Sequence, residues 1–187
     1  QGDGDCLAIG GNHFIHAARR NIDITTIINN NFIYGRTGGQ VGPTTPKGAI
    51  ATSAPYGAIE PTSDACKIAG ATGATFVARG TTYHVVQLID IIEKGILHHG
   101  FSVIEVITQC PQVFGRRNPK IMGKTPPEMM KWMKENTISV DQAKEETPEK
   151  LQNKIVIGIM VDKEEPEFGD EYRKVIKKAQ EGGIKGD

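Results

Sequence analysis

At 187 residues the chain is long enough for one substantial core, or for one domain with an appended segment. Lys+Arg and Asp+Glu both total 22, and this balance excludes the cationic excess on which nucleic-acid binding depends. No apolar run approaches the ~20 residues of a membrane span, nothing resembles a secretory h-region, and three scattered cysteines make no disulfide framework, so a cytoplasmic protein is expected.

Taken in chain order, residues 7–20 carry apolar side chains at roughly helical spacing, despite Gly10 and Gly11. The β-branched run 22–28 ("IDITTII") reads as a strand covered on both faces. From 29 to about 61 the pattern gives way to Gly, Pro, Thr and Asn, and so long an irregular stretch inside a domain is usually functional or disordered. Helical spacing returns over 63–70, with Ser63 or Asp64 as cap, and "ATFVAR" (74–79) is a short strand. Residues 84–99 form the clearest helix, with Val85, Leu88, Ile89, Ile92 and Leu97 on one face and Gly100 as its stop. "FSVIEVIT" (101–108) is a buried strand. Beyond it come a helix opened by Pro126-Pro127 and ending near 135, a charged linker ("VDQAKEETPEK"), a strand at 154–162 and a basic amphipathic helix at 171–181.

Strands alternating with helices predict an α/β fold, a parallel sheet flanked by helices. Residues 1–118 are expected to form the main domain and 119–187 a C-terminal extension packed on it or on a partner. Ligands of such sheets bind beyond the carboxyl ends of the strands. The irregular loops at 2–5, 29–61 and 108–118 converge there, provided that a strand precedes Gly2.

The opening "QGDGDCLAIGGNHF" invites three phosphate-binding readings. A dinucleotide fingerprint fails because Leu7 stands where its third glycine belongs. A P-loop around Gly123-Lys124-Thr125 fails because its first glycine falls on Asn118 and prolines follow directly. The third reading pairs Gly2-Asp3-Gly4 with Asn30-Asn31, one helix and one strand later. A βαβ unit sets both loops side by side, so a carboxylate, an amide oxygen and a backbone carbonyl can meet on Mg²⁺ that also carries phosphate oxygens. Gly2 and Gly4 let the backbone approach a diphosphate, and the helix that follows offers its amides. Taken singly, Asp3 reads as a helix cap and Asn31 as a turn residue.

Gly-Asp-Gly followed about 25 residues on by Asn-Asn resembles the thiamine diphosphate and Mg²⁺ motif. With "NNNFIYGRTGGQ", "PTTPKGAIATSAPYG", "GATFVARGTTYH", "GFSVIEVITQCP", "FGRRN" and "PPEMMKWMKENT", most of the chain is similar to the β subunit of 2-oxoacid:ferredoxin oxidoreductases, the archaeal 2-oxoglutarate branch above all. The resemblance implies a thiamine diphosphate-binding fold. It also implies oxidative decarboxylation of a 2-oxoacid with coenzyme A, giving an acyl-CoA, CO₂ and reduced ferredoxin. By it, Asp3, the Asn31 side chain and the Ile33 carbonyl ligate Mg²⁺, Gly2 belongs to the cofactor turn, and Gly4 and Asp5 lie against the diphosphate. Cys110 matches a ligand of a [4Fe-4S] cluster whose other cysteines precede Gly2. The chain is then the C-terminal portion of a longer subunit. An α subunit carries the other thiamine domain and its activating glutamate, with γ and δ subunits as further partners, so this portion alone is expected to be inactive. Pyruvate or branched-chain 2-oxoacids, a non-redox thiamine diphosphate enzyme and a non-catalytic assembly module remain as alternatives.

Other residues carry weaker signals. Arg36 and Thr37 follow the Mg²⁺ loop; Arg36 either pairs with a second substrate carboxylate or faces solvent. His13 and His16 have the i, i+3 spacing of a shared metal, but no third ligand is evident. His98-His99 suit the negative end of a helix, and Cys6 and Cys66 read as core thiols.

Overall fold

The computed structural model of the chain describes residues 1–152 and 154–182. Strands β1 (Ile24–Asn30), β2 (Phe76–Thr81), β3 (Phe101–Ile107), β4 (Thr137–Ser139) and β5 (Ile155–Asp162) form one sheet in the order β1-β3-β2-β5-β4. β3 is buried at every residue, as its apolar run predicts, and lies between β1 and β2 with both neighbours parallel. That parallel core bears out the α/β expectation. β5 departs from it by running antiparallel to β2, with a bulge at Val77/Ala78, while β4 runs parallel to β5. An antiparallel strand beside a parallel set is a common way to continue such a sheet.

The first helix is not continuous. Gly10 N–H bonds back to the Asp5 carbonyl at 2.7 Å, so Asp5–Ile9 form a wide π-helical turn before α1 (Gly11–Arg19) begins. β1 is less covered than its sequence predicts: Ile24 is half exposed, and only Ile28 and Asn30 of the strand are buried. α2 (Ala65–Ala71) is capped by Asp64, whose carboxylate accepts from Lys67 N–H, as expected. Leu88 and Ile92 of the predicted face of α3 (Val85–Leu97) do pack on the core, but the face is centred elsewhere. Ile91 and Gly95 face the sheet, while Val85, Ile89 and Leu97 are exposed. A Cβ on Gly95 would come within 2.6 Å of Ile104, so this glycine sets the line of closest approach.

The charged linker is helical, as α6 (Val140–Glu145) and α7 (Pro148–Leu151), which follow the short α4 (Pro119–Met122) and α5 (Pro126–Asn136). Ser139 and Gln142 cap α6 reciprocally, and Pro148 opens α7. The last helix, α8 (Phe168–Gln180), begins three residues earlier than predicted, capped by Glu167.

Among the described residues, three apolar clusters fill the fold. One lies under α1 and α2 around Phe14, Val77 and Phe101, and one under α3 around Phe76, Ile91 and Ile104. The third joins Phe32 and Ile33 of the long loop to Phe114, Met122, Met129 and Met133. Each fully buried Phe or Met there contributes roughly 1.5–3 kcal/mol. Residues 31–62 are thus a packed loop, with Thr44, Thr45, Ala49 and Ala51 buried.

Candidate cofactor site

β1, β2 and β3 are parallel and end on one side of the sheet, so the loops after Asn30, Thr81 and Ile107 share an edge. Gln1 and Gly2 run along the outer side of β1 in parallel register: Asn29 N–H donates to Gln1 O at 2.8 Å, and Gly2 bridges Asn29. The turn at Asp3 therefore leaves the sheet beside the end of β1. Asp3 and Asn31 meet there, as their spacing predicts.

Asp3 is only 3% exposed. The Thr44 hydroxyl donates to its carboxylate in a short hydrogen bond. Burial raises the carboxyl above its usual range, against hydrogen bonds from Thr44 and from the backbone of Asp3, Asn31 and Gly4. No Lys or Arg among the described residues forms an ion pair with it. A buried carboxylate with polar donors and no paired cation is the kind of group that a bound metal neutralises.

The loop after β1 is shaped by side-chain hydrogen bonds. The Asn31 carboxamide oxygen accepts from Ile33 N–H at 3.1 Å, while the Asn30 oxygen accepts from Phe32 N–H at 3.0 Å. Thr45 donates to the Phe32 carbonyl at 2.6 Å. Between these anchors Phe32 adopts φ +66°, a left-handed conformation costing a bulky residue roughly 1–3 kcal/mol. Strain of this kind persists where the surroundings over-determine it, and here it aims Asn31 and Ile33. Asp3, Asn31 and Ile33 offer a carboxylate, an amide and a carbonyl oxygen, hard donors that fit Mg²⁺.

One cavity of about 180 Å³ gathers the predicted residues. Gly2, Asp3, Gly4 and Asp5 line it together with Asn31 and Ile33, and Tyr34, Gly35, Arg36 and Thr37 complete the lining. Arg36 is exposed, and Thr37 bonds Gln40 at 2.8 Å. Tyr34 was not legible as a site residue; its ring packs on Gly4, its hydroxyl donates to the Gly4 carbonyl at 3.0 Å, and burial raises its phenol's pKa.

Cys110 does not line the cavity. It is half-buried behind the loop, its sulfur 3.5 Å from where a Cβ on Gly35 would stand, and it opens the π-helical turn Pro111–Gly115. Cys6 and Cys66 are buried thiols; burial pushes Cys6 up to about 11 and Cys66 well above its usual range. His13 and His16 are exposed on α1 and belong to neither group of metal-competent side chains among the described residues. His98 is the C-cap residue of α3, its N–H donating to the Lys94 carbonyl at 2.9 Å, but the two rings find other partners: His98 bonds Thr75 at 2.7 Å and packs on Phe76, and His99 bonds Asp170 at 2.7 Å. Sequence reading missed Thr44, which bonds Asp3, and Glu105, which bonds Asn30 behind it.

Comparison with known proteins shows what the whole chain is similar to. The chain is 56% identical over 177 residues to the 2-oxoglutarate synthase subunit KorB of Methanocaldococcus jannaschii, covering 95% of this chain and 64% of that protein. It is 50% identical over 169 residues to subunit KorB of Methanothermobacter marburgensis, covering 90% and 58%. The chain thus spans less than two thirds of the length of these relatives. In fold it is similar to a chain of the 2-oxoglutarate:ferredoxin oxidoreductase from Magnetococcus marinus, with TM-score 0.79 at 24% identity over 100% of this chain and 62% of that one. Residues 1–106, from the Gly-Asp-Gly turn to the end of β3, match the model of the thiamine pyrophosphate enzyme C-terminal TPP binding domain, and the chain belongs to that family.

Proposed function

We propose that this chain is the cofactor-binding portion of the β subunit of a 2-oxoglutarate:ferredoxin oxidoreductase. The carrying observation is the single cavity on which Asp3, Asn31 and Ile33 converge beside the Gly2–Asp5 turn. In this reading residues 1–118 are the thiamine diphosphate domain and 119–187 an extension, whose Met129 and Met133 pack against the same cluster as Phe32 and Ile33.

Asp3, Asn31 and the Ile33 carbonyl would hold Mg²⁺, and the backbone of Gly4 and Asp5 would hold the diphosphate beside it. Bound there, thiamine diphosphate supplies the electron sink for decarboxylating a 2-oxoacid. Tyr34 fixes the turn that carries Gly4. Arg36 and Thr37, which line the same cavity, would meet the second carboxylate of 2-oxoglutarate, Arg36 by a charge-assisted pair. Cys110, with cysteines from outside this chain, would hold a [4Fe-4S] cluster, which would supply one-electron transfer toward ferredoxin; coenzyme A would accept the acyl group as succinyl-CoA. The α subunit, with γ and δ subunits in the complex, completes the active site in the cytoplasm.

The test is turnover by the assembled complex with 2-oxoglutarate, coenzyme A and oxidised ferredoxin. Succinyl-CoA and reduced ferredoxin should form together, and Asp3→Ala should abolish both. Turnover only with pyruvate or a branched-chain 2-oxoacid would overturn the substrate assignment, and thioester formation without ferredoxin reduction would overturn the redox assignment.

A further inference from the structure

Glu105 is a carboxylate in the middle of the central strand, 2% exposed. Nothing in the cofactor site touches it directly. The sheet register sets it opposite Ile28 of β1 and Arg79 of β2, and Asn30, two residues beyond Ile28, shares that face. Arg79 Nε donates to Glu105 at 2.6 Å, and its Nη2 donates to Asp64 at 2.5 Å. Asn30 Nδ2 donates to the other Glu105 oxygen at 2.7 Å. A buried ion pair is weak ground for stability, since apolar residues of similar size often serve as well.

The pair does fix a direction. A carboxylate held by Arg79 only accepts, so it takes the NH₂ end of the Asn30 amide and turns the oxygen toward the loop. That oxygen receives Phe32 N–H at 3.0 Å and lies 3.0 Å from the Thr44 hydroxyl, the donor to Asp3. Were the amide reversed, an NH₂ group would face Phe32 N–H. The left-handed turn that aims Asn31 and Ile33 would then lose its anchor.

We propose that Glu105 is a positioning residue of the metal site, acting through Asn30 to orient the Asn31–Ile33 loop around the cation. This rests on the assignment of Asp3, Asn31 and Ile33 as its ligands. Arg79 is the constant partner that keeps Glu105 an acceptor. In Glu105→Gln, Arg79 claims the single remaining oxygen and the new NH₂ opposes Asn30, so the Asn30 amide turns over. In the double variant Glu105→Gln with Asn30→Asp, donor and acceptor are exchanged, and an oxygen again faces Phe32 N–H and Thr44.

The probe is Mn²⁺ in the presence of thiamine diphosphate, titrated into the cofactor-free assembled complex and followed by the paramagnetic resonance signal of the free ion. Glu105→Gln should weaken Mn²⁺ binding about 10- to 100-fold, the usual effect of removing a group that orients a metal ligand. The double variant should return to near the wild-type affinity, which a merely structural role for Glu105 would not produce. If Glu105→Gln does not assemble, the double variant and Asn30→Asp alone decide: near wild-type Mn²⁺ binding in the double variant with weaker binding in Asn30→Asp, whose oxygens oppose Glu105, supports the inference, and equal binding in the two overturns it. Asp3→Ala separates the two levels. Loss of Mn²⁺ binding in Asp3→Ala together with wild-type binding in Glu105→Gln overturns the positioning role alone, as does a double variant no better than Glu105→Gln. Wild-type binding in Asp3→Ala overturns the ligand assignment itself and this inference with it.

Discussion

Tyr34 lies across Gly4: a Cβ on Gly4 would stand 2.3 Å from the ring, and the Tyr34 hydroxyl bonds the Gly4 carbonyl. The glycine is required by this contact within the chain, in addition to any approach by a diphosphate. Gly4→Ala should therefore cost about 1–3 kcal/mol, the usual range for overpacking. In a Tyr34→Ala background the same substitution should cost much less, a coupling that a double-mutant cycle in denaturant measures. Equal costs in both backgrounds would remove the ring as the cause.

Asp3→Asn should separate stability from binding. The folded protein raises the Asp3 carboxyl above its usual range through burial, so without metal the ionised form is destabilising. The folded state then holds its proton more tightly than the unfolded state, and this contribution to stability grows as pH falls through the folded value. At neutral pH the cofactor-free Asn variant should melt higher than wild type, with the gap closing in acid. Its amide can donate to Thr44, whose proton is then free for the Asn30 oxygen 3.0 Å away. Metal binding should be lost. A variant less stable than wild type at neutral pH would contradict this account.

If Cys110 ligates a [4Fe-4S] cluster as proposed, Cys110→Ser in the assembled complex should lose it, because a hydroxyl is a poor replacement for a thiolate on iron. Thiamine diphosphate binding should survive, since Cys110 stands behind Gly35 and outside the cavity. Iron content and visible absorption of the anaerobically purified variant check the first point. A fully occupied cluster would leave Cys110 an ordinary half-buried thiol.

His99 ties α8 to the main sheet through Asp170 at 2.7 Å and Asp23 at 3.4 Å. The hydrogen bond to Asp170 raises its pKa above the ordinary 6.5. A raised folded-state pKa gives a contribution that is full below the unfolded value and lost as pH rises through the folded one. Corrected for intrinsic rates, the amides of α8 should exchange faster as pH rises through that window, and His99→Gln should remove the dependence. A pH-independent α8 in wild type would sink the idea.

The parts of this fold set by local periodicity were legible in the sequence. β3 reads as buried because every residue of Phe101–Ile107 is covered, and Asp64 caps α2 as its side chain predicts. The centre of the α3 face was misread because Gly95, invisible to a hydrophobic pattern, sets the closest approach. The linker was misread because its charge obscured the Ser139–Gln142 capping box and Pro148, both present in the sequence. Asp3 and Asn31 were legible as a pair because their chemistry and spacing suit one metal. Tyr34 and Thr44 were not, because they act through contacts across an aperiodic loop. Glu105 and Arg79 left a signal, two charges inside apolar strands, that points to a buried pair.

The most direct test of the central claim is calorimetric titration of thiamine diphosphate into the assembled complex stripped of cofactor, with and without Mg²⁺. The convergence of Asp3, Asn31 and Ile33 on one cavity predicts binding that requires Mg²⁺ in wild type and disappears in Asp3→Ala. Equally tight binding without the metal, or in Asp3→Ala, would contradict it.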